Sequence, residues 1–155
     1  MGAGRHMVLA FALAACLPGA ISADEPTEEG VVVAMMSASD RIDLLPGQAV
    51  IFVPDGGKMT FIRFVKGPMQ PEAGELKLEF GALGGQSSLI VTSKADKAYQ
   101  YRAPIVKTLG AKKGKQTSVC TIIAGGGAFE TWPNAIPVLR VMDFKPAADG
   151  AVACR

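Results

Sequence analysis

The sequence predicts an all-β fold, a two-sheet antiparallel sandwich of immunoglobulin-like type, with a small β-barrel as the alternative closure. Three observations predict it. About nine short apolar or alternating runs follow one another along the chain, as a sandwich of this length requires. Glycine and proline, 18 and 10 of the 155 residues, punctuate those runs as turns. No stretch combines helical periodicity with caps over more than about ten residues.

Each element has its own signal. Residues 31–36 are a continuous apolar run, and 41–45 alternate before Pro46 and Gly47 turn the chain. Residues 49–53 are apolar on both faces, as a central strand is. Pro54-Asp55-Gly56-Gly57 is a hairpin turn that pairs this run with residues 60–65. Residues 75–80 alternate most cleanly, Leu76, Leu78 and Phe80 against Glu75, Lys77 and Glu79, which predicts a strand with one face in water. Further strands are expected at 87–93, 99–106, 117–124 and 138–145. Residues 125–137 read as a long connection without secondary structure.

The front of the chain carries an export pattern. Arg5 and His6 open it, an apolar stretch runs from Met7 to Leu17, and Pro18-Gly19 break that stretch. Small residues at Ile21-Ser22-Ala23 then precede the acidic Asp24 and Glu25. Residues 1–23 are read as a signal peptide, 24–30 as an acidic flexible leader, and 31–155 as a single β-sandwich domain. The product is expected in the periplasm or secreted. Leu13-Ala14-Ala15-Cys16 also fits a lipoprotein signal, so a lipid anchor at Cys16 is the alternative. No transmembrane helix is expected after residue 23, since no later apolar run approaches the length a bilayer demands.

Composition narrows the chemistry. His6 is the only histidine and falls in the signal. The exported domain therefore has no imidazole for a Ser-His-Asp or Cys-His pair, or for a histidine-ligated metal. Net charge is +2, too small for a chain built to neutralise nucleic acid phosphates. The charge is uneven: residues 24–43 hold six acids against Arg41, and residues 94–115 hold seven bases against Asp96. After export two thiols remain, Cys120 and Cys154, whose spacing suits a structural disulfide rather than a CxxC redox pair or a zinc site. The methionines are scattered through apolar strands without histidine, which marks them as core fillers and not copper ligands. No cofactor is implied.

Four features are candidate contact sites. Lys112, Lys113 and Lys115 form a basic loop whose spacing fails the phosphate-loop pattern, because Gln116 separates Lys115 from Thr117. It reads either as a solvated hairpin loop whose charges blunt edge pairing or as an electrostatic contact with an anionic envelope component, such as a phosphorylated lipid, or an acidic partner. Gly125-Gly126-Gly127 lacks the dinucleotide spacing and is read as a turn. In residues 125–137, Phe129, Glu130 and the single tryptophan, Trp132, either close the core, with Glu130 paired to a base, or form a stacking surface for a polysaccharide. Tyr99 and Tyr101, two apart on one strand, face the same side about 6.7 Å apart.

The functional expectation is an exported, non-catalytic binding module for an envelope component or a protein partner. A carbohydrate-binding domain is the alternative. A small hydrolase without histidine is the third reading, and it would need a carboxylate or Ser-Lys pair that the sequence does not single out.

Overall fold

A computed structural model describes residues 30–148 and 151–154. The expected signal peptide, Cys16 and residues 24–29 of the leader lie outside the described residues. The strands are β1 (Val31–Ser39), β2 (Arg41–Leu44), β3 (Gln48–Asp55), β4 (Lys58–Lys66), β5 (Leu76–Leu83), β6 (Gln86–Ser93), β7 (Tyr99–Arg102), β8 (Ile105–Val106), β9 (Gly127–Trp132) and β10 (Val138–Pro146). Among the described residues there is no helix. Six strands form one antiparallel sheet in the order β1-β4-β3-β5-β6-β9. In the second, four-stranded sheet, β10 lies between β2 on one side and β7 and β8 on the other. The sheets do not close on each other, so the barrel alternative is excluded.

Turn chemistry sets the larger sheet. Asp55 pairs with Lys58 across Gly56 and Gly57, whose φ angles of 54° and 89° are the positive pair that a two-residue hairpin turn needs. β4 and β5 both run antiparallel to β3 and flank it. The segment 67–75 must therefore cross the sheet between them, and it does so on the face turned away from the second sheet. Ile51, fully buried yet outside the inter-sheet core, lies on that face between Arg63 and Lys77. The Glu75 carboxylate fastens the end of the crossover, accepting two bonds of 2.7 Å from Arg63 and one of 2.8 Å from the Glu72 N–H. Burial by itself raises the Glu75 carboxyl, and these donors outweigh it, holding it below the ordinary carboxylate range.

The core lies between the two sheets. Val50 and Phe52 of β3, Leu76, Leu78 and Phe80 of β5, and Leu89 and Val91 of β6 face Ile42, Leu44, Tyr101, Leu139, Val141 and Phe144. Phe144 is the hinge of this packing. Its ring meets Phe52 edge-on at 4.9 Å and stacks on Tyr101 at 5.5 Å, while its backbone bridges to Gly57 of the opposite sheet. A bulge next to Asp143, whose φ is 59°, bends β10 toward that bridge.

Several expectations are corrected. The polar side of β5 is only partly solvated: Lys77 is 2% exposed and pairs at 2.9 Å with Glu79, whose side chain is the exposed one of the two. Residues 117–124 form no strand, keeping only isolated bridges from Cys120 to Cys154 and from Ile122 to Tyr99. The expected connection 125–137 instead contains β9, the edge strand paired along β6. Residues 99–106 are split into β7 and β8 at Ala103-Pro104, where proline removes a ladder donor.

Candidate binding face

The outer face of the smaller sheet carries the densest polar architecture. Arg140 of β10 lies directly opposite Asp43 of β2 in register. Its guanidinium donates from Nε to Oδ1 at 2.6 Å and from Nη2 to Oδ2 at 2.8 Å, and its Nη1 donates to the Ala111 carbonyl at 2.7 Å. Asp43 Oδ2 also accepts the Gly110 N–H at 2.8 Å. The Arg140 hydrogen bonds hold the Asp43 carboxyl below the ordinary carboxylate range against the opposing effect of burial. Arg140 is only 3% exposed. A buried guanidinium needs all its donors matched, and here one of them is matched by loop backbone.

That loop, 107–116, has two further fixed points. Ile105 and Lys115 exchange backbone bonds of 2.8 and 2.7 Å. Gly114 lies flat on β8, where a Cβ would sit 2.8 Å from the Ile105 carbonyl and 2.8 Å from a Val106 methyl. Lys112, Lys113 and Lys115 project from this held backbone, exposed, and no salt bridge joins them to an acid among the described residues.

Beside the loop a cleft of about 480 Å³ opens between β7 and residues 117–121, lined in part by Gln100, Tyr101, Arg102, Gln116, Asp143 and Lys145. Arg102 spans its rim, donating to Asp143 Oδ2 at 3.1 Å and to Gln116 Oε1 at 3.0 and 3.2 Å. Thr121 and Ala153 close the far wall with three hydrogen bonds, the Thr121 N–H and hydroxyl donating to the Ala153 carbonyl and the Ala153 N–H to the Thr121 hydroxyl, near the Cys120–Cys154 pair, whose sulfurs lie at disulfide-bonding distance.

The other candidates are distributed differently. Tyr99 and Tyr101 share a face, as expected, but it is the core face. Burial raises both hydroxyls above the ordinary tyrosine range, with Asp96 adding to the effect at Tyr99 and Glu130 at Tyr101. Glu130 also points inward. Among the described residues it pairs with no base, and its Oε1 accepts the Cys120 N–H at 2.6 Å. Trp132 packs half-buried against the core, whereas Phe129 is 64% exposed and plugs nothing. Gln100, Arg102, Asp143 and Lys145 of the cleft escape sequence reasoning. The signal available for them is alternation, since Gln100 and Arg102 occupy the positions between and after the two inward tyrosines.

Among the described residues no cluster of three or more metal-binding side chains is gathered, and no helix is long and apolar enough to cross a membrane. Comparison with family models, curated proteins and solved structures finds no match to this chain.

Proposed function

We propose that this chain is an exported, non-catalytic β-sandwich that binds an anionic envelope component through the lysine loop. The observation that carries the reading is the anchoring of loop 107–116. A buried Arg140–Asp43 pair, a flat-packed glycine and a double backbone bond hold a segment whose exposed side chains include Lys112, Lys113 and Lys115, with Lys107 at its start. Fixing a loop in advance lowers the ordering cost of binding. A loop that only solubilised an edge would not need such fixation.

The export reading rests on the pattern in residues 1–23, and the immunoglobulin-like reading on two stacked antiparallel sheets sharing one core. The six-and-four division of strands departs from the four-and-three of constant immunoglobulin domains. A polysaccharide site around Trp132 has less support, because Glu130 faces the core and the indole is half-covered.

Sedimentation with vesicles containing anionic phospholipid tests the proposal. Binding is expected to fall steeply between low salt and about 0.15 M, where screening acts beyond roughly 8 Å. Replacing Lys112, Lys113 and Lys115 together by Ser is expected to abolish it. Equal binding by the triple variant would refute the proposal.

A further inference from the structure

The β-ladder beside β7 lacks one rung. Tyr99 and Ile122 exchange both backbone bonds, at 3.0 and 2.8 Å. In an antiparallel pair the next such exchange falls two residues along, between Tyr101 and Cys120. It is not made. The Cys120 N–H turns instead to Glu130, and the next tie across the gap is the Thr117 hydroxyl on the Ala103 carbonyl at 2.6 Å. Strand alternation directs the Tyr101 N–H and C=O to the same side as those of Tyr99, away from β10 and toward the cleft. On the β10 side the ladder partners flanking Tyr101 are Gln100 and Arg102, and among the described residues no bond from a loop, turn or side chain reaches either group of Tyr101. Tyr101 is 6% exposed, its side chain lying in the core and its main chain lining the cleft. An adjacent main-chain donor and acceptor left open on the wall of a cleft are the kind of unpaired strand edge on which an extended peptide adds.

The charges around the gap define the rest of that molecule. Arg102 and Asp143 neutralise each other at 3.1 Å. Glu130 lies on the core side, bonded to the Cys120 N–H. Lys145, the cross-strand partner of Gln100, lines the same cleft and makes no salt bridge among the described residues. A secondary amide presents one N–H and one C=O in the spacing of a strand, and a carboxylate is the partner of an ammonium.

We propose that the cleft binds a short peptide carrying a free carboxylate next to an amide. The amide fills the missing rung at Tyr101, and the carboxylate meets Lys145 with the Gln100 amide beside it. The ends of the gap are tied at Tyr99–Ile122 and Ala103–Thr117, which limits the occupant to a short peptide, and the cleft of about 480 Å³ that Tyr101 and Cys120 line is where it would sit. This site is separate from the lysine loop.

Amide NMR of the ¹⁵N-labelled exported chain, with its disulfide intact, tests the assignment. The probes are N-acetyl-alanyl-alanine, the same peptide with an amidated C-terminus, and acetate. The free acid is expected to shift the Tyr101 amide resonance saturably. Amidating the peptide, or substituting Lys145→Gln, is expected to weaken the titration about tenfold or more, the loss of one charge-assisted bond. Acetate alone is expected not to saturate the Tyr101 resonance over the same range. The triple lysine-to-serine variant is expected to bind the peptide as the parent does, so that loss of vesicle binding and loss of peptide binding are read independently. A Tyr101 resonance unmoved by the peptide, or a Lys145→Gln protein that binds it undiminished, would overturn the proposal, as would acetate saturating the site as readily as the peptide.

Discussion

Arg140 spends a buried charge on geometry. A buried ion pair is a weak source of net stability, but removing one partner strands the other. Arg140→Ala leaves the Ala111 carbonyl without its donor and the Asp43 carboxylate with only the Gly110 N–H, and is expected to cost about 3–5 kcal/mol in urea denaturation. The pH dependence follows from the same side chains. Asp43 and Glu75 are held below the unfolded carboxyl value near 4. Their contribution is therefore present above that pH and is lost as pH falls through the depressed folded values. Tyr101 runs the other way. Its raised hydroxyl favours the folded state below the unfolded tyrosine value near 10, and stability declines as pH rises beyond it. Because that hydroxyl is buried without a partner, Tyr101→Phe is expected to leave stability at pH 7 unchanged or to raise it by up to about 1 kcal/mol, and to weaken the alkaline decline. Circular dichroism across pH 6–12 reads both effects, and a clear loss of stability at pH 7 would show that the hydroxyl is bonded.

At the scale of elements, the readings that succeeded were those in which local signal and packing agree. Gly56-Gly57 demanded a hairpin, and the run at 49–53 reads as central because both its faces are covered, one by the second sheet and one by the crossover 67–75. The similar apolar run in β1 lies at an open edge with nearly every residue exposed, and composition alone does not distinguish an edge from a centre. Residues 117–124 have strong β-propensity but form no strand, since Glu130 captures the Cys120 N–H that a ladder would use. β9 escaped recognition for the converse reason. Its alternation has inverted polarity, with Glu130 inside and Phe129 outside. Half of the binding face was legible, because lysines in a glycine-flanked loop declare themselves. The buried Arg140–Asp43 anchor was not, since it joins positions 97 residues apart. The glycine at 114 allows an element-scale test. Gly114→Ala places a methyl against the Ile105 carbonyl and Val106 and is expected to lift the loop from β8. Vesicle binding is then expected to weaken with all three lysines still present, while a loop that needs no fixed shape would bind as before.

For the molecule as a whole, the smaller sheet is held to the larger by Phe144 and to its own C-terminal segment by the Cys120–Cys154 pair. Residues 151–154 return to the sheet beside 120–121, where Thr121 N–H donates to the Ala153 carbonyl at 3.0 Å. Val152 and Cys154 are exposed, so little apolar burial retains this segment and the covalent link must do so. The two cysteines are 34 residues apart, and closing a loop of that length restricts the unfolded chain by about 3.5–4 kcal/mol in the chain-entropy account. Against a domain stability of roughly 5–15 kcal/mol, that is a large share. Replacing both cysteines by serine is expected to lower the urea midpoint by an amount corresponding to that loss, with the slope altered little if the unfolded chain expands only modestly. The same substitution also frees Ala153, which walls the cleft. Amide exchange at Thr121 is accordingly expected to accelerate more than exchange in β3 or β5, whose bonds lie in the centre of the larger sheet. Uniform acceleration at all these positions would mean that the link stabilises the whole fold without holding the cleft wall in place.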